Sequence, residues 1–138
     1  MFHWKSIPKT VITPEGASPR LLRLRDGRLI AAAETRRGIR VYSSEDDGAS
    51  WLDAGPGSFC PGLSCANPEL FELPDGQVLL AHRAVGQREN GFYTSLRVSV
   101  GDGVRFEPHS VVAEYRNWIT NGCFPASFRR WVDSITSV

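Results

Sequence analysis

Residues 44–51 read Ser-Glu-Asp-Asp-Gly-Ala-Ser-Trp and follow a strand-like run, Ile-Arg-Val-Tyr-Ser, at residues 39–43. The Asp46 carboxylate can accept hydrogen bonds from backbone N–H groups just ahead of it, and Gly48 can adopt a positive φ without a Cβ clash. Trp51 can bury its ring and still donate a hydrogen bond. One interpretation is an ordinary acidic hairpin turn, because Asp-Gly is a common hairpin signal. The other is a defined structural turn in which five positions act together, namely Ser44, Asp46, Gly48, Ser50 and Trp51.

The composition indicates a globular domain without a strong electrostatic preference. Hydrophobic residues make up 41% of the 138 residues and charged residues 22%, which is enough apolar surface for a core. The 16 basic and 15 acidic side chains leave a net charge of +1, so we predict no nucleic-acid partner and no anionic membrane partner. No apolar run approaches the roughly 20 residues that cross a bilayer, so no membrane span is predicted. The four Trp and seven Phe suit packed sheets or a sugar-binding cleft.

The cysteines and histidines do not form a recognisable ligand set. Cys60 and Cys65 lie in a Gly/Pro-rich loop, where they either form a disulfide in an oxidising compartment or remain free thiols. The first eight residues contain no apolar segment typical of a signal peptide. We predict no metal site and no cofactor, because none of the following has the spacing of metal ligands: Cys60, Cys65, Cys123, His3, His82 and His109.

A strand–turn–strand pattern precedes the acidic turn. Leucines alternate with arginines over residues 22–25, which is the period of a half-buried strand. Asp26-Gly27 predicts a two-residue hairpin, and residues 29–33 form a continuous apolar run of strand length. A helix over residues 29–37 is the alternative, because alanine favours helix, but the Asp-Gly hairpin argues against it.

This pattern recurs further along the chain. Residues 68–83 repeat residues 19–34 at an offset of 49, with Pro, Leu, Asp, Gly and Ala recurring in step. A repeat of about 50 residues with four strands is typical of a β-propeller blade. A β-sandwich of short hairpins is the alternative, but it does not explain why the turns repeat in register.

The acidic turn also has a second copy. Ser99, Gly103 and Phe106 match its Ser, Gly and Trp at an offset of 55. The aspartate position is Gly101, so we interpret this copy as degenerate. The six extra residues belong to the loop at 84–90, where an insertion is tolerated.

The turns and the repeat resemble the sialidase superfamily with Asp-box (BNR) repeats, whose signature is Ser-x-Asp-x-Gly-x-Thr/Ser-Trp. The resemblance covers about residues 17–115 and extends to exo-arabinanases with the same six-bladed fold. It implies an all-β fold, a partial β-propeller with blade-like units at about 17–66 and 67–120 and the start of a third blade. In such a fold the Asp-box is an outer-strand turn away from the channel mouth, with its Trp packed between sheets.

The last residues, 121–138, depart from this pattern because they contain no Asp-Gly turn and no second strand. The resemblance implies a closed ring of six blades. We therefore interpret residues 1–138 as an incomplete propeller domain, the N-terminal fragment of a larger protein whose full-length form is secreted. A small complete protein that closes its sheets by oligomerising is the alternative. The oligomeric state is left open.

The resemblance also implies candidate substrate-binding residues. Arg20 matches by position the first arginine of the cluster that holds the substrate carboxylate in sialidases, and Arg36 or Arg37 can support the same pocket. Glu69 occupies the repeat position of Arg20, and Arg83 occupies that of Glu34, so Glu69 and Arg83 are candidates by symmetry, and Glu34 is a further candidate. Each can equally be a solvated or structural charge.

The general-acid aspartate of sialidases is missing from the short loop at 37–39, which argues against sialidase activity. Arabinanase-type members instead use two carboxylates from later blades. We therefore interpret the chain as part of an exo-acting glycoside hydrolase with a carbohydrate substrate, a terminal sugar of a glycan or plant polysaccharide, and expect it to be inactive alone. The alternative is a non-catalytic Asp-box propeller that binds a glycan or a protein.

Overall fold

The computed structural model of the chain describes residues 9–88 and 91–116, and its regular structure there is all β-strand. The strands form two antiparallel four-stranded sheets, in the orders β1-β2-β3-β4 and β5-β6-β7-β8. The predicted start of a third blade and the tail at 121–138 lie outside the described residues. The strand bounds are β1 (Ala17–Arg23), β2 (Leu29–Thr35), β3 (Gly38–Ser44), β4 (Leu52–Ser58), β5 (Ser64–Glu72), β6 (Val78–Arg88), β7 (Gly91–Gly101) and β8 (Phe106–Arg116).

The two sheets are successive blade-like units, which confirms the prediction of an all-β partial propeller. Each sheet is a meander of neighbouring strands, β1 contacts β5, and β4 contacts β8. Residues 29–35 pair as β2 with both β1 and β3, so the strand prediction is confirmed there and the helix alternative is wrong. Across residues 9–88 and 91–116 there is no helix long and apolar enough to cross a membrane.

The Asp-Gly turn between β1 and β2 is wider than predicted. The Leu24 N–H donates to the Arg28 carbonyl at 2.9 Å, and the Gly27 N–H donates to the Leu24 carbonyl at 3.0 Å. The Asp26 carboxylate accepts the Arg28 N–H at 3.0 Å, and Gly27 has a φ of 95°. The loop therefore has three residues rather than two, because the aspartate caps the N–H beyond the glycine. The same contacts recur in the β5–β6 turn, so the repeat extends to hydrogen bonds.

The main core lies between the two sheets. Ile30, Ile39 and Val41 of the first sheet and Val78 and Leu80 of the second are fully buried in one cluster. Burying a side chain of this size contributes about 1.5–3 kcal/mol. The interface between the two units is therefore a principal source of the stability of the chain.

The alternation predicted over residues 22–25 is confirmed at this interface. Leu24 is buried in the cluster, and Leu22 is half-buried and packs against it. Arg23, between them, is exposed, as the period of a strand requires.

A smaller cluster covers the opposite face of the first sheet. Ala31, Ala33 and Tyr42 are buried there, and Ile12 and Trp51 pack against them. Successive β2 side chains alternate between faces, so these alanines point away from the second sheet. The Trp51 ring therefore packs on the face of β2 that points away from the second sheet, and it does not lie between the two described sheets.

Candidate functional site

The first strand of each sheet carries a β-bulge at the same repeat position. The strand register shifts just before Arg20 in β1 and just before Glu69 in β5. The residue that precedes the proline in each bulge is in the left-handed region, with φ of 47° at Ser18 and 51° at Asn67. Bulges and strained residues of this kind re-aim side chains and are frequent next to functional sites. The bulges therefore mark Arg20 and Glu69 as candidate site residues.

Arg20 and Glu69 form an ion pair between the two sheets. The Arg20 Nε donates to the Glu69 Oε1 at 2.5 Å, and the two residues are 49 positions apart, the offset of the repeat. Their side chains are 48% and 25% exposed. Because solvent reaches both groups, the pair contributes only about 0–1 kcal/mol to stability. It forms a solvent-accessible patch of opposite charges at the meeting of the two units.

Glu34 is tied to the second bulge. It is half-buried near the end of β2, and its Oε2 accepts the Asn67 N–H at 3.1 Å. This hydrogen bond crosses from the first sheet to the second and holds the residue whose backbone is strained. Glu34 thus fixes the bulge that presents Glu69. Sequence reasoning missed this role, because it depends on how closely the two sheets approach.

The remaining candidate residues lie on other elements. Arg36 is exposed in the turn between β2 and β3. Arg83 is half-buried on β6, opposite Ala66 of β5 in the strand register. The structure thus joins Arg20 to Glu69 directly, whereas the substrate-binding roles of all five candidates stay predictions.

A second polar link between the sheets was not predicted. The Glu72 carboxylate accepts the backbone N–H of Arg25 at 3.0 Å, and the Arg25 guanidinium donates to the carbonyls of Leu73 and Pro74 at 3.2 and 3.0 Å. Charged side chains at strand ends look like solvated residues in a sequence. The repeat makes Arg25 and Pro74 equivalent positions, 49 residues apart, but it does not show that they are in contact.

The acidic turn between β3 and β4 is organised by Asp46. Its carboxylate accepts hydrogen bonds from the Ser44 hydroxyl at 2.8 Å, the Ser50 N–H at 2.8 Å and the Ser50 hydroxyl at 2.5 Å. The Ser44 hydroxyl oxygen accepts the Gly48 N–H at 2.9 Å, and the Trp51 indole donates to the Gly48 carbonyl at 3.2 Å. All five positions noted in the sequence therefore take part in one closed hydrogen-bonded turn.

Replacing Asp46 by asparagine is expected to reduce the loss of stability in acid. Hydrogen bonds from the Ser50 side chain and then its backbone lower the pKa of Asp46 from 3.8 to about 2. The ionised carboxylate therefore stabilises the fold above about pH 4, and this contribution disappears as the pH falls from about 4 to about 2. The midpoint of thermal unfolding should fall more steeply over this range in the wild-type chain than in Asp46→Asn. Parallel curves would contradict the role assigned to the carboxylate.

The second acidic turn, between β7 and β8, uses a different aspartate. The position equivalent to Asp46 is Gly101, and the neighbouring Asp102 accepts the N–H groups of Arg105 and Val104, both at 2.8 Å. These backbone hydrogen bonds lower the pKa of Asp102. The copy that looks degenerate in the sequence therefore keeps an aspartate-capped turn, displaced by one residue.

A buried cluster of two cysteines and one histidine lies where the chain passes from the first sheet to the second. Cys60 is in the β4–β5 connection, Cys65 is on β5 and His82 is on β6, and both thiols are free. Their potential ligand atoms all lie within 4.8 Å of one another. Burial raises the pKa of the Cys65 thiol to about 12 and lowers that of His82 to about 4. Spacing along the chain did not reveal the cluster, because it is assembled by the pairing of β5 with β6.

Solved structures similar to this chain are propeller glycoside hydrolases. The GH93 α-L-arabinofuranosidase of Fusarium graminearum with arabinobiose aligns at a TM-score of 0.60 and 24% identity, over 75% of this chain and 33% of that one. A mutant α-L-arabinofuranosidase from the same organism, with an iminosugar inhibitor, aligns at 0.61, with the same identity of 24% over 75% and 33% of the two chains. The α-L-arabinanase of Penicillium chrysogenum with arabinobiose aligns at 0.59 and 24% identity, over 76% of this chain and 34% of that one.

The chain therefore spans about a third of the length of the solved structures it matches. No protein-family model matches it, and no curated protein is a significant match. At this identity the likeness establishes the fold. The described residues form a partial β-propeller that resembles part of those structures.

Proposed function

We propose that the chain forms two blades of an exo-acting propeller glycoside hydrolase that removes terminal arabinose from plant polysaccharide. The observation that carries the proposal is the bulged Arg20–Glu69 pair on the first strands of two units. The fold of these units matches enzymes whose solved complexes contain arabinobiose. First strands line the central channel of a propeller, and the proposal assigns this pair to contact a substrate there.

The charge of the pair favours a neutral sugar over a sialic acid. An arginine holds a carboxylate best through a free guanidinium fork, but the Arg20 Nε already donates to Glu69. A sialic acid carboxylate would have to displace Glu69 and then remain beside its negative charge. A neutral sugar can instead donate a hydroxyl hydrogen to Glu69 and accept one from the remaining guanidinium N–H groups. The absence of an aspartate at 37–39 supports the same choice.

The other candidate residues are assigned supporting roles in this proposal. Glu34 holds the bulge that aims Glu69, and we propose that Arg36 of the β2–β3 turn and Arg83 of β6 contact the substrate. The hydrogen bonds of the turn at 44–51 support its assignment as an Asp-box that stiffens the blade. Further blades of the ring supply the pair of free carboxylates that glycoside hydrolysis requires.

Binding of arabinobiose to the full chain tests the proposal. Titration into isotopically labelled chain should shift the amide resonances around Arg20 and Glu69, and sialyllactose at the same concentration should not. Glu69→Gln is expected to lower the affinity by about tenfold or more, because a hydrogen bond to a charged group contributes about 1.5–3 kcal/mol.

The matched control is Asp47→Asn, which also removes a carboxylate from an exposed ion pair, the one with Arg23 in the acidic turn. This variant should bind arabinobiose like the wild-type chain. Equal losses in the two variants, or no binding by the wild-type chain, would overturn the assignment of the site.

A non-catalytic glycan-binding propeller is the second candidate. It is favoured by the engagement of both candidate carboxylates, since Glu69 pairs with Arg20 and Glu34 accepts the Asn67 N–H. We expect the purified chain to release no arabinose from arabinan above a no-enzyme control. Release would contradict the view that the catalytic carboxylates lie on other blades. A longer chain that closes the ring and binds arabinobiose without cleaving it would favour the second candidate.

A further inference from the structure

The cluster of Cys60, Cys65 and His82 has the composition of a site for a thiophilic metal ion. All three side chains are buried, and they come from the β4–β5 connection and the first two strands of the second sheet. Ligands that are about 2.0–2.3 Å from a tetrahedral ion stand roughly 3.5 Å apart. Ligand atoms within 4.8 Å of one another can therefore close around an ion through small side-chain movements.

Of the three residues, His82 gives the strongest evidence for a missing ligand, because one of its ring nitrogens is buried and unpaired within the described part of the chain. Its side chain is fully buried, and its Nε2 has no hydrogen-bond partner among the described residues. The Nδ1 lies 3.3 Å from the carbonyl oxygen of Arg83, which fits an Nδ1–H donor and leaves the lone pair on Nε2. Buried polar atoms are nearly always paired. Metal-ligating histidines commonly donate their other ring N–H to a backbone carbonyl in this way.

The charges around the cluster suit a divalent ion. Two thiolates neutralise the charge of such an ion, and each thiol releases its proton to solvent as its bond to the metal forms. Two sulfur ligands and one imidazole select zinc-like ions over hard ions such as Mg²⁺ or Ca²⁺.

We propose that Cys60, Cys65 and His82 form a binding site for Zn²⁺ or a similar thiophilic divalent ion at the junction of the two blades. A bound ion ties the β4–β5 connection to β5 and β6. It fixes the crossing from one sheet to the next at the point where the main core is formed, since both cysteines belong to that cluster. The site is distinct from the Arg20–Glu69 pair and does not depend on the proposed glycosidase function.

Titration of the reduced full chain with Co²⁺ tests the site through its absorption spectrum. We expect one Co²⁺ per chain, with thiolate-to-metal charge-transfer absorption, displacement of Co²⁺ by Zn²⁺ and a higher thermal unfolding midpoint after Zn²⁺ is added. Cys65→Ser and His82→Gln should each lower the Zn²⁺ affinity by about 100-fold or more, because loss of an outer-shell partner alone costs about 10–100-fold. His109→Gln, which removes an exposed histidine, and Cys123→Ser should leave the affinity unchanged.

X-ray absorption on the Zn²⁺-loaded wild-type chain gives a readout that does not require any variant to fold. We expect two sulfur scatterers at about 2.3 Å together with imidazole. A first shell of nitrogen and oxygen alone would overturn the proposal, and so would equal affinity in the ligand and control variants. A Cys60–Cys65 disulfide that persists in the chain purified under reducing conditions would also overturn it.

Discussion

Replacing Leu80 by alanine is expected to lower the free energy of unfolding of the full chain by about 2–5 kcal/mol. Leu80 is fully buried in the cluster between the two sheets, so the truncation leaves a cavity that paired strands on both sides cannot easily close. Because a domain of this kind is stable by only about 5–15 kcal/mol, the loss is a large share of the total. Urea unfolding followed by tryptophan fluorescence measures it.

The matched control is Leu52→Ala. Leu52 is the same residue type on the edge strand β4, and it is 71% exposed. Substitutions at such positions usually change stability by no more than about 0.5 kcal/mol. Similar losses in the two variants would contradict the placement of the main core between the sheets.

Gly57 on β4 provides a second test of the packing around Leu80. A Cβ at Gly57 would lie 2.6 Å from the Val41 Cγ2 and 2.7 Å from the Leu80 Cδ2, closer than side chains normally approach. Gly57→Ala should therefore destabilise the chain, and it should do so less when Leu80 is already alanine. We expect a coupling of about 0.5 kcal/mol or more in the double-mutant cycle, and additive effects would contradict the close approach.

Repetition along the chain made most of the fold predictable. The offset of 49 between residues 19–34 and 68–83 already placed the strands β1, β2, β5 and β6, and the structure reproduces it in the hydrogen bonds of both Asp-Gly turns. The acidic turn was predictable because its contacts join residues no more than four apart. Local hydrogen bonds are determined by side-chain chemistry and spacing, both of which are visible in a sequence.

Contacts between the two sheets were not predictable in the same way. The repeat identified Arg20 and Glu69 as equivalent residues, but it did not show that they pair with each other. The hydrogen bond from Asn67 to Glu34 and the approach of His82 to the two cysteines depend on the distance and rotation between neighbouring sheets. These quantities result from packing of the whole interface, and no spacing of residue types encodes them.

Replacing Gly101 by aspartate is expected to destabilise the chain, although it restores the Ser-x-Asp-x-Gly pattern in the second acidic turn. A Cβ at Gly101 would lie 1.7 Å from the Arg105 carbonyl oxygen and 2.7 Å from its carbon. The obstacle is backbone, so it cannot rotate aside as a flexible side chain can. We expect a loss of about 1–3 kcal/mol or more, in the range of other overpacked sites, measured by urea unfolding.

Gly101→Ala separates the two causes that the aspartate variant combines. Alanine adds the Cβ without a carboxylate, so nearly equal losses in Gly101→Ala and Gly101→Asp are expected if the clash with Arg105 dominates. A stable Gly101→Asp chain would instead mean that the turn can adopt the hydrogen bonding of the first copy. The close approach of Arg105 to Gly101 leaves no room for a side chain at position 101. The carboxylate is instead supplied by Asp102, which accepts two backbone N–H groups. The second turn therefore keeps a carboxylate that caps backbone N–H groups, but a different residue supplies it.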